Sequence, residues 1–269
     1  MLNFVFTIDG DWGEYFCPNL SEEQRKPKKD VVLDLVKREI ALAKTIDNKF
    51  LHFVHSSDRA RDFFLEPEFI SIWKDVEKNG GSIGVHCHED DPEKASFTED
   101  EARMKREIGA LTGKLRKSGL HPIAYRGGYL AFNAKLIPIL ENNNLYLDFS
   151  CEPDRYISGA ADWRDSPDNV YRMGWDDHRR VGESKVYEVP LGWGMYLELT
   201  SLWHTFQSAR RWRARAENEE VIVSVLAHTY DFSSWWMRIK LRLALTILKR
   251  YGTFINADEV YALVTGASE

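Results

Sequence analysis

Cysteine is scarce in this chain of 269 residues: Cys17, Cys87 and Cys151 are odd in number and widely spaced. They assemble neither a disulfide framework nor a CxxC zinc or redox motif, which points to a reducing compartment. Basic charge is not in excess, since 36 lysines and arginines stand against 42 aspartates and glutamates, for a net charge of -6. Nucleic acid, which is gripped through a basic face or stripe, is therefore set aside as a principal partner. No apolar run approaches the roughly 20 residues that cross a bilayer. Asp9 and Asp11 interrupt the first apolar run before a signal-peptide core could form, so the sequence reads as soluble and cytoplasmic. Absent too are a GxxxxGK[ST] or GxGxxG phosphate loop and a GxSxG nucleophile elbow. Cys87 lies between two histidines but in no known catalytic cysteine signature.

What is present is enough apolar material for a large core, 43% hydrophobic and 13% aromatic. Short β-rich runs recur, "LNFVFTI", "KFLHFVH", "SIGVH", "HPIAYRG", "LYLDFS", "KVYEVP", "VIVSVLAH" and "GTFIN", each followed by a helix-like segment or a polar loop. That alternation predicts parallel βα units. Helix starts are marked by Asp30, by Thr98 with Glu101, by Asn133, and by Asn256 with Glu259. Two stretches, 10–29 and 152–185, are long and irregular, but no repeat or flexible linker cuts the chain. A single domain over 1–269 is expected.

In parallel α/β folds reactive side chains collect where strands end. Here the strand ends carry Asp9 and Asp11, His55, His86 and His88, Arg126, and His228. These are the residue types of a metal-assisted hydrolase. In an extended segment, residues two apart project to the same side, so "HCHED" can aim His86 and His88 at one ion, with Asp90 as an alternative oxygen ligand. Asp9-Gly10-Asp11 alone would suit a plain turn; its company at the other strand ends makes it a site. Trp12, Tyr15, Phe16, Trp163 and Trp175 in the irregular stretches are candidates for stacking on sugar rings, with core packing as the alternative.

With these pieces in place, the chain resembles the polysaccharide deacetylases of the NodB-homology, carbohydrate esterase 4 type, over nearly its whole length. "TIDGDW" is similar to that family's first motif, which implies Asp9 as catalytic base and Asp11 as metal ligand. "IGVHCHEDDP" is similar to the second motif, whose two histidines stand four apart; His86 matches, while Asp90 stands where the second histidine belongs. The third ligand is then His88, favoured because imidazole suits zinc, or Asp90. "YRGGYLAFN" resembles the third motif and implies that Arg126 tunes Asp9, with backbone near Gly128 and Tyr129 binding the oxyanion. "YEVPLGW" and "VLAHTYDF" resemble the fourth and fifth motifs, implying Trp193 as a pocket wall and His228 as the acid for the leaving amine.

The resemblance implies a distorted (β/α) barrel of about seven parallel strands. It implies a divalent metal, zinc first, with cobalt, nickel, manganese or iron as alternatives. The substrate it implies is an N-acylated amino sugar, nucleotide-linked, lipid-linked or polymeric, and Trp12, Gly128 and Trp193 are expected to contact it. Within the family the chain is most similar to the branch of O-antigen and other surface-polysaccharide loci, typified by WbmS. The altered second motif also admits a deacetylase-like sugar-binding protein without turnover. Residues 234–251, "SWWMRIKLRLALTILKRY", combine Trp235 and Trp236 with five basic residues. They read as a helix covering the barrel, or as a peripheral contact at the inner membrane face.

Overall fold

The computed structural model describes residues 1–88 and 100–266, with backbone only at 193 and 194. In chain order the elements are β1 (Leu2–Asp9), α1 (Lys29–Ala43), β2 (Phe50–Ser56), α2 (Pro67–Lys78), β3 (Ser82–Cys87), α3 (Glu101–Lys117), β4 (Ala124–Gly127), α4 (Leu136–Asn142) and β5 (Leu147–Asp148). There follow β6 (Tyr156–Ile157), β7 (Ala161–Asp162), β8 (Tyr171–Arg172), β9 (Tyr187–Glu188), β10 (Leu191–Tyr196), α5 (Leu202–Arg215), β11 (Val221–His228), α6 (Trp235–Lys249), β12 (Thr253–Phe254) and α7 (Ala257–Thr265).

The main sheet runs β10-β11-β1-β2-β3-β4-β5-β9-β8, with β12 off this path and paired on β1. Every pairing along it is parallel except that of β8 on β9. The sheet curls into a distorted (β/α) half-barrel with helices outside, the architecture that the resemblance implies, built from the parallel βα units that the alternation of β-rich and helical runs predicts. β6 and β7 form a separate antiparallel pair.

Strand alternation divides the core in two. Phe4, Phe6 and Ile8 share the outer cluster with Val32, Leu35 and Val36 of α1 and Leu241 and Leu245 of α6. Val5, Leu51, Phe53, Leu147, Phe149 and Ile222 fill the inside, closed at one end by Ala257 and Val260 of α7. Thr7 and Asp9 share the inward parity of Val5, so the last inward residue of β1 is a carboxylate at the open end. The Asn256–Glu259 pair forms a reciprocal capping box, as expected. Asp100 caps α3 through the backbone N–H of Arg103; Thr98 lies outside the described residues. Asp30 sits inside the first turn of α1 rather than capping it, and Asn133 accepts from the backbone N–H of Lys135 just before α4.

Candidate active site

The parallel register fixes the site before any side chain is considered. β1 pairs with β11 so that Asp9 lies opposite His228, β2 with β3 so that His55 lies opposite His86, and β3 with β4 so that His86 lies opposite Arg126. Five adjacent strands, β11-β1-β2-β3-β4, thus present their ionisable ends on one rim. A pocket of about 260 Å³ opens there, floored by Asp9, Asp11, His86, His88 and His228, with Phe16, Tyr129, Arg155, Tyr196 and Tyr230 around it.

Arg126 is buried and organises the floor. Its Nη1 donates to Asp9 Oδ1 at 2.7 Å and to Thr7 Oγ1 at 3.0 Å, its Nε donates to the Phe149 carbonyl at 2.8 Å, and the guanidinium lies 4.7 Å from the Phe53 ring centre. Burial alone would raise the pKa of Asp9, but the charges of Arg126, His86 and His228 outweigh it and hold the carboxyl below its ordinary value. Asp9 is therefore a buried carboxylate that stays ionised.

Asp11, also buried, accepts a 2.6 Å hydrogen bond from His55 Nδ1 and faces His86 Nε2 at 3.7 Å. Burial again pushes its pKa upward, and the His55 hydrogen bond, with the nearby imidazoles of His86 and His88, brings it well below normal. His86 Nδ1 lies 3.0 Å from the Arg126 carbonyl, which can only accept, so that nitrogen carries the proton. Nε2, buried, 3.7 Å from Asp11 Oδ1 and with no hydrogen-bond partner in the protein, is the atom that would offer a lone pair to a bound cation. His88 Nδ1 meets the Tyr15 hydroxyl at 2.9 Å, and its ring stacks on His55 at 5.3 Å and against Tyr129 at 4.3 Å.

One atom each from Asp11, His86 and His88 lies within 4.8 Å of the others. One carboxylate and two imidazoles, with His86 and Asp11 tied from behind by the Arg126 carbonyl and His55, fit a divalent cation with an open position. Asp9, Asp11 and His228 form a second such group, and Glu198, His228 and Asp231 a third.

His228 stacks on Tyr230 at 4.8 Å, with Nδ1 3.2 Å from Glu198 Oε1. Its backbone N–H donates to Asp231 Oδ2 at 2.8 Å. Burial would lower its pKa, but Asp231, Glu198 and Asp9 raise it well above the ordinary histidine value. Opposite Asp9 there is thus a cation that keeps its proton at neutral pH.

The segment after β4 is shaped around His88. A Cβ on Gly128 would lie 2.5 Å from His88 Cγ, so only glycine lets the ring approach. Tyr129 and Leu130 follow with φ of 55° and 58°, two consecutive non-glycine residues in the left-handed region. Beneath, the Gly127 N–H donates to Ser150 Oγ at 2.9 Å, and Ser150 Oγ donates to Asp148 Oδ1 at 2.8 Å. Burial first, then the facing Asp148, pushes Glu188 well above the carboxylate range, so this buried acid pair holds a proton.

No protein-family model and no curated protein matches the sequence. Solved structures do match, along nearly all of it. A polysaccharide deacetylase, so named, from Mycobacterium smegmatis superposes with a TM-score of 0.65 at 12% identity over 99% of this chain and 91% of that one. A protein named as a glycoside hydrolase/deacetylase from Parabacteroides distasonis gives 0.66 at 12% identity over 100% of this chain and 71% of that one. The fold is that of the polysaccharide deacetylases. The deacetylase fold also serves PuuE allantoinase, which matches at a TM-score of 0.64 and 10% identity over 100% of this chain and 92% of that one. The fold therefore accommodates more than one activity, and the choice among them rests on the site.

On the deacetylase fold, the structure gathers Asp9, Asp11, His86, His88, Arg126, Gly128, Tyr129 and His228 in one place. Trp12 is not on the pocket: it is 1% exposed, its indole N–H donates to the Arg25 carbonyl, and its ring packs on Tyr15, His55 and Phe64. Tyr15 and Trp163 are buried as well, while Phe16 lines the pocket. Asp90 lies outside the described residues, as does the side chain of Trp193, whose backbone is in β10. Sequence reasoning missed Glu198 and Asp231 beside His228, the Asp148–Glu188 pair, and Arg155 at the pocket wall. Of these only Asp231, three residues after His228, carried a local signal.

Proposed function

We propose that the protein is a metal-dependent carbohydrate deacetylase that hydrolyses the N-acetyl, or a related N-acyl, group of an amino sugar in surface-polysaccharide or O-antigen biosynthesis. The observation that carries this reading is the pairing, across one small pocket, of an ionised buried Asp9 with a protonated His228, beside the Asp11, His86 and His88 cluster. Amide hydrolysis needs those parts: a base for water, an acid for nitrogen, and positive charge where the oxyanion forms. A divalent cation, zinc by preference, held by Asp11, His86 and His88 supplies Lewis acidity toward water and the acyl oxygen.

Asp9 accepts the proton of the attacking water, and Arg126 holds its carboxylate in place and ionised. The backbone at Gly128 and Tyr129 borders the developing oxyanion. His228, with Glu198 and Asp231 behind it, gives its proton to the departing nitrogen as the C–N bond breaks, leaving a free amine and a carboxylate. The aromatic side chains around the pocket, Phe16, Tyr129, Tyr196 and Tyr230, accommodate the sugar ring.

The test is acetate release from an N-acetylglucosamine oligomer and from nucleotide-linked N-acetylglucosamine by zinc-loaded protein, beside its Asp9→Asn variant. Release that Asp9→Asn abolishes supports the reading. Zinc binding with no release from either substrate would favour a sugar-binding protein on the same fold.

A further inference from the structure

The surface made by α5 and α6 differs in charge from the rest of the molecule. Together these helices hold eight arginines and lysines and no aspartate or glutamate, in a chain of net charge -6. α6 is also apolar on two sides. Its inner stripe, Leu241, Ala244, Leu245 and Leu248, is buried. Its outer stripe, Trp235, Trp236, Ile239 and Leu243, is 53%, 66%, 42% and 45% exposed. Spacings of three and four residues place the outer four on one face. A helix that is hydrophobic all round is ordinarily buried all round; this one is covered on one side.

The two indoles stack at 3.9 Å into an apolar plate. Beside it a groove of about 390 Å³ opens between α1 and α6, with Ala41, Leu42 and Ile239 along it and three arginines, Arg38, Arg238 and Arg242, at its sides. The Phe232 carbonyl anchors Arg38 and Arg238, at 3.1 and 2.7 Å, while Arg242 is exposed. α5 contributes Trp203, 68% exposed, and the turn before it Leu199, 79% exposed. Both helices leave strands that end on the pocket: Trp203 follows Tyr196, and Trp235 and Trp236 follow His228, within eight residues.

We propose that the α5–α6 face docks on the headgroup layer of an anionic lipid bilayer. Trp235, Trp236, Ile239 and Leu243 enter the interfacial zone, the arginines and lysines meet lipid phosphates, and the pocket mouth is held close to the membrane surface. Aromatic and aliphatic residues backed by basic ones, with no acid on the helix itself, are the composition of a helix that lies on a membrane. Arg215 is paired with Asp168 and Glu219, Lys249 with Asp47 and Arg38 with Asp34, so the charge offered to lipid comes chiefly from the other basic residues, Arg242 among them. Among the described residues no helix is long and apolar enough to cross one. A second copy of the chain is a poor occupant, because its identical basic face would be repelled.

The experiment is flotation of the full chain with phosphatidylcholine vesicles, with and without phosphatidylglycerol. The expected result is capture by the phosphatidylglycerol vesicles, weakened by added salt. Trp235→Ser/Trp236→Ser lowers the partition coefficient about tenfold or more. Arg242→Glu lowers it about fivefold or more, the worth of at least one basic residue at an anionic surface. All three positions are exposed, so the melting temperature and zinc content stay at wild-type values, and the readout is independent of turnover. Failure of the wild type to float, undiminished flotation of both variants, or a concentration-dependent dimer that the tryptophan variant dissolves would each overturn the proposal.

Discussion

Replacing Gly128 by alanine tests the cation site through sterics alone. The added Cβ would lie 2.5 Å from His88 Cγ, 2.6 Å from Cδ2 and 2.9 Å from Cα. Carbon atoms rest about 3.5–4.0 Å apart, so the ring must retreat by roughly 1 Å, and the contact with Cα carries the backbone with it. Gly128 is not in the left-handed region, so alanine suits its backbone and the whole effect falls on the neighbour. Overpacking of this kind costs about 1–3 kcal/mol, and for a chain of this size each kcal/mol lowers the melting temperature by roughly 2–4 °C. Displacing one ligand by about that distance should weaken zinc roughly 10–100-fold and turnover about 100-fold. Gly113→Ala is the control: it lies inside α3, has nothing within 4 Å of the new methyl, and should gain about 0.5–1 kcal/mol. Thermal melts and zinc titration against a chromophoric chelator read both variants. Wild-type zinc affinity in Gly128→Ala would refute the placement of His88 in the site.

Arg126→Lys keeps a positive charge but cannot reproduce the donors that reach Asp9, Thr7 and Phe149, so it should lower kcat/KM by about tenfold or more in the acyl-release assay. Asp9→Asn should abolish release while zinc content, read by elemental analysis, is retained. His228 has a raised pKa in the folded state, so its stabilising interactions are complete below the unfolded value of about 6.5 and fade as pH rises through the higher folded value. His228→Gln should therefore remove the alkaline limb of the kcat/KM profile and cost roughly 10²–10⁴ in rate. His178 behaves oppositely. Burial, only partly offset by the Asp162 carbonyl 3.1 Å from its Nε2, lowers its pKa to about 4. Stability should then be full above pH about 6.5 and fall by about 3 kcal/mol toward pH 4, a loss that urea titrations of His178→Phe should not show.

The floor of the site was legible because parallel strands announce where they end. Asp9, His86, Arg126 and His228 each close a β-rich run, and register alone brings such residues together. Partners that hold those residues were not legible, because they come from distant parts of the chain: Tyr15 reaches His88 across 73 residues, and His55 reaches Asp11 across 44. His55 had been expected at the pocket and stands instead behind Asp11. Trp12, as an aromatic in an irregular stretch, reads from sequence as a candidate for stacking on the sugar. An indole whose N–H is already satisfied by the Arg25 carbonyl has no reason to leave the core. Among the sheet strands, β8 is too short for any periodic signal, and β10 carries Gly192 and Gly194, which a pattern of β-branched residues does not reveal.

Arg126 joins the ends of three strands, since one guanidinium binds Thr7 and Asp9 on β1 and, from β4, the Phe149 carbonyl just beyond β5. The residue that steadies the proposed base is also a rivet of the barrel, and the two duties cannot be separated by substitution. A descendant released from selection for turnover could discard Asp9 or His86 at modest structural cost, whereas loss of Arg126 would leave three acceptors stranded in the interior. In a lineage of such proteins the arginine should outlast the chemistry. Its persistence would then report an intact barrel, while Asp9 and the histidines would report a working enzyme.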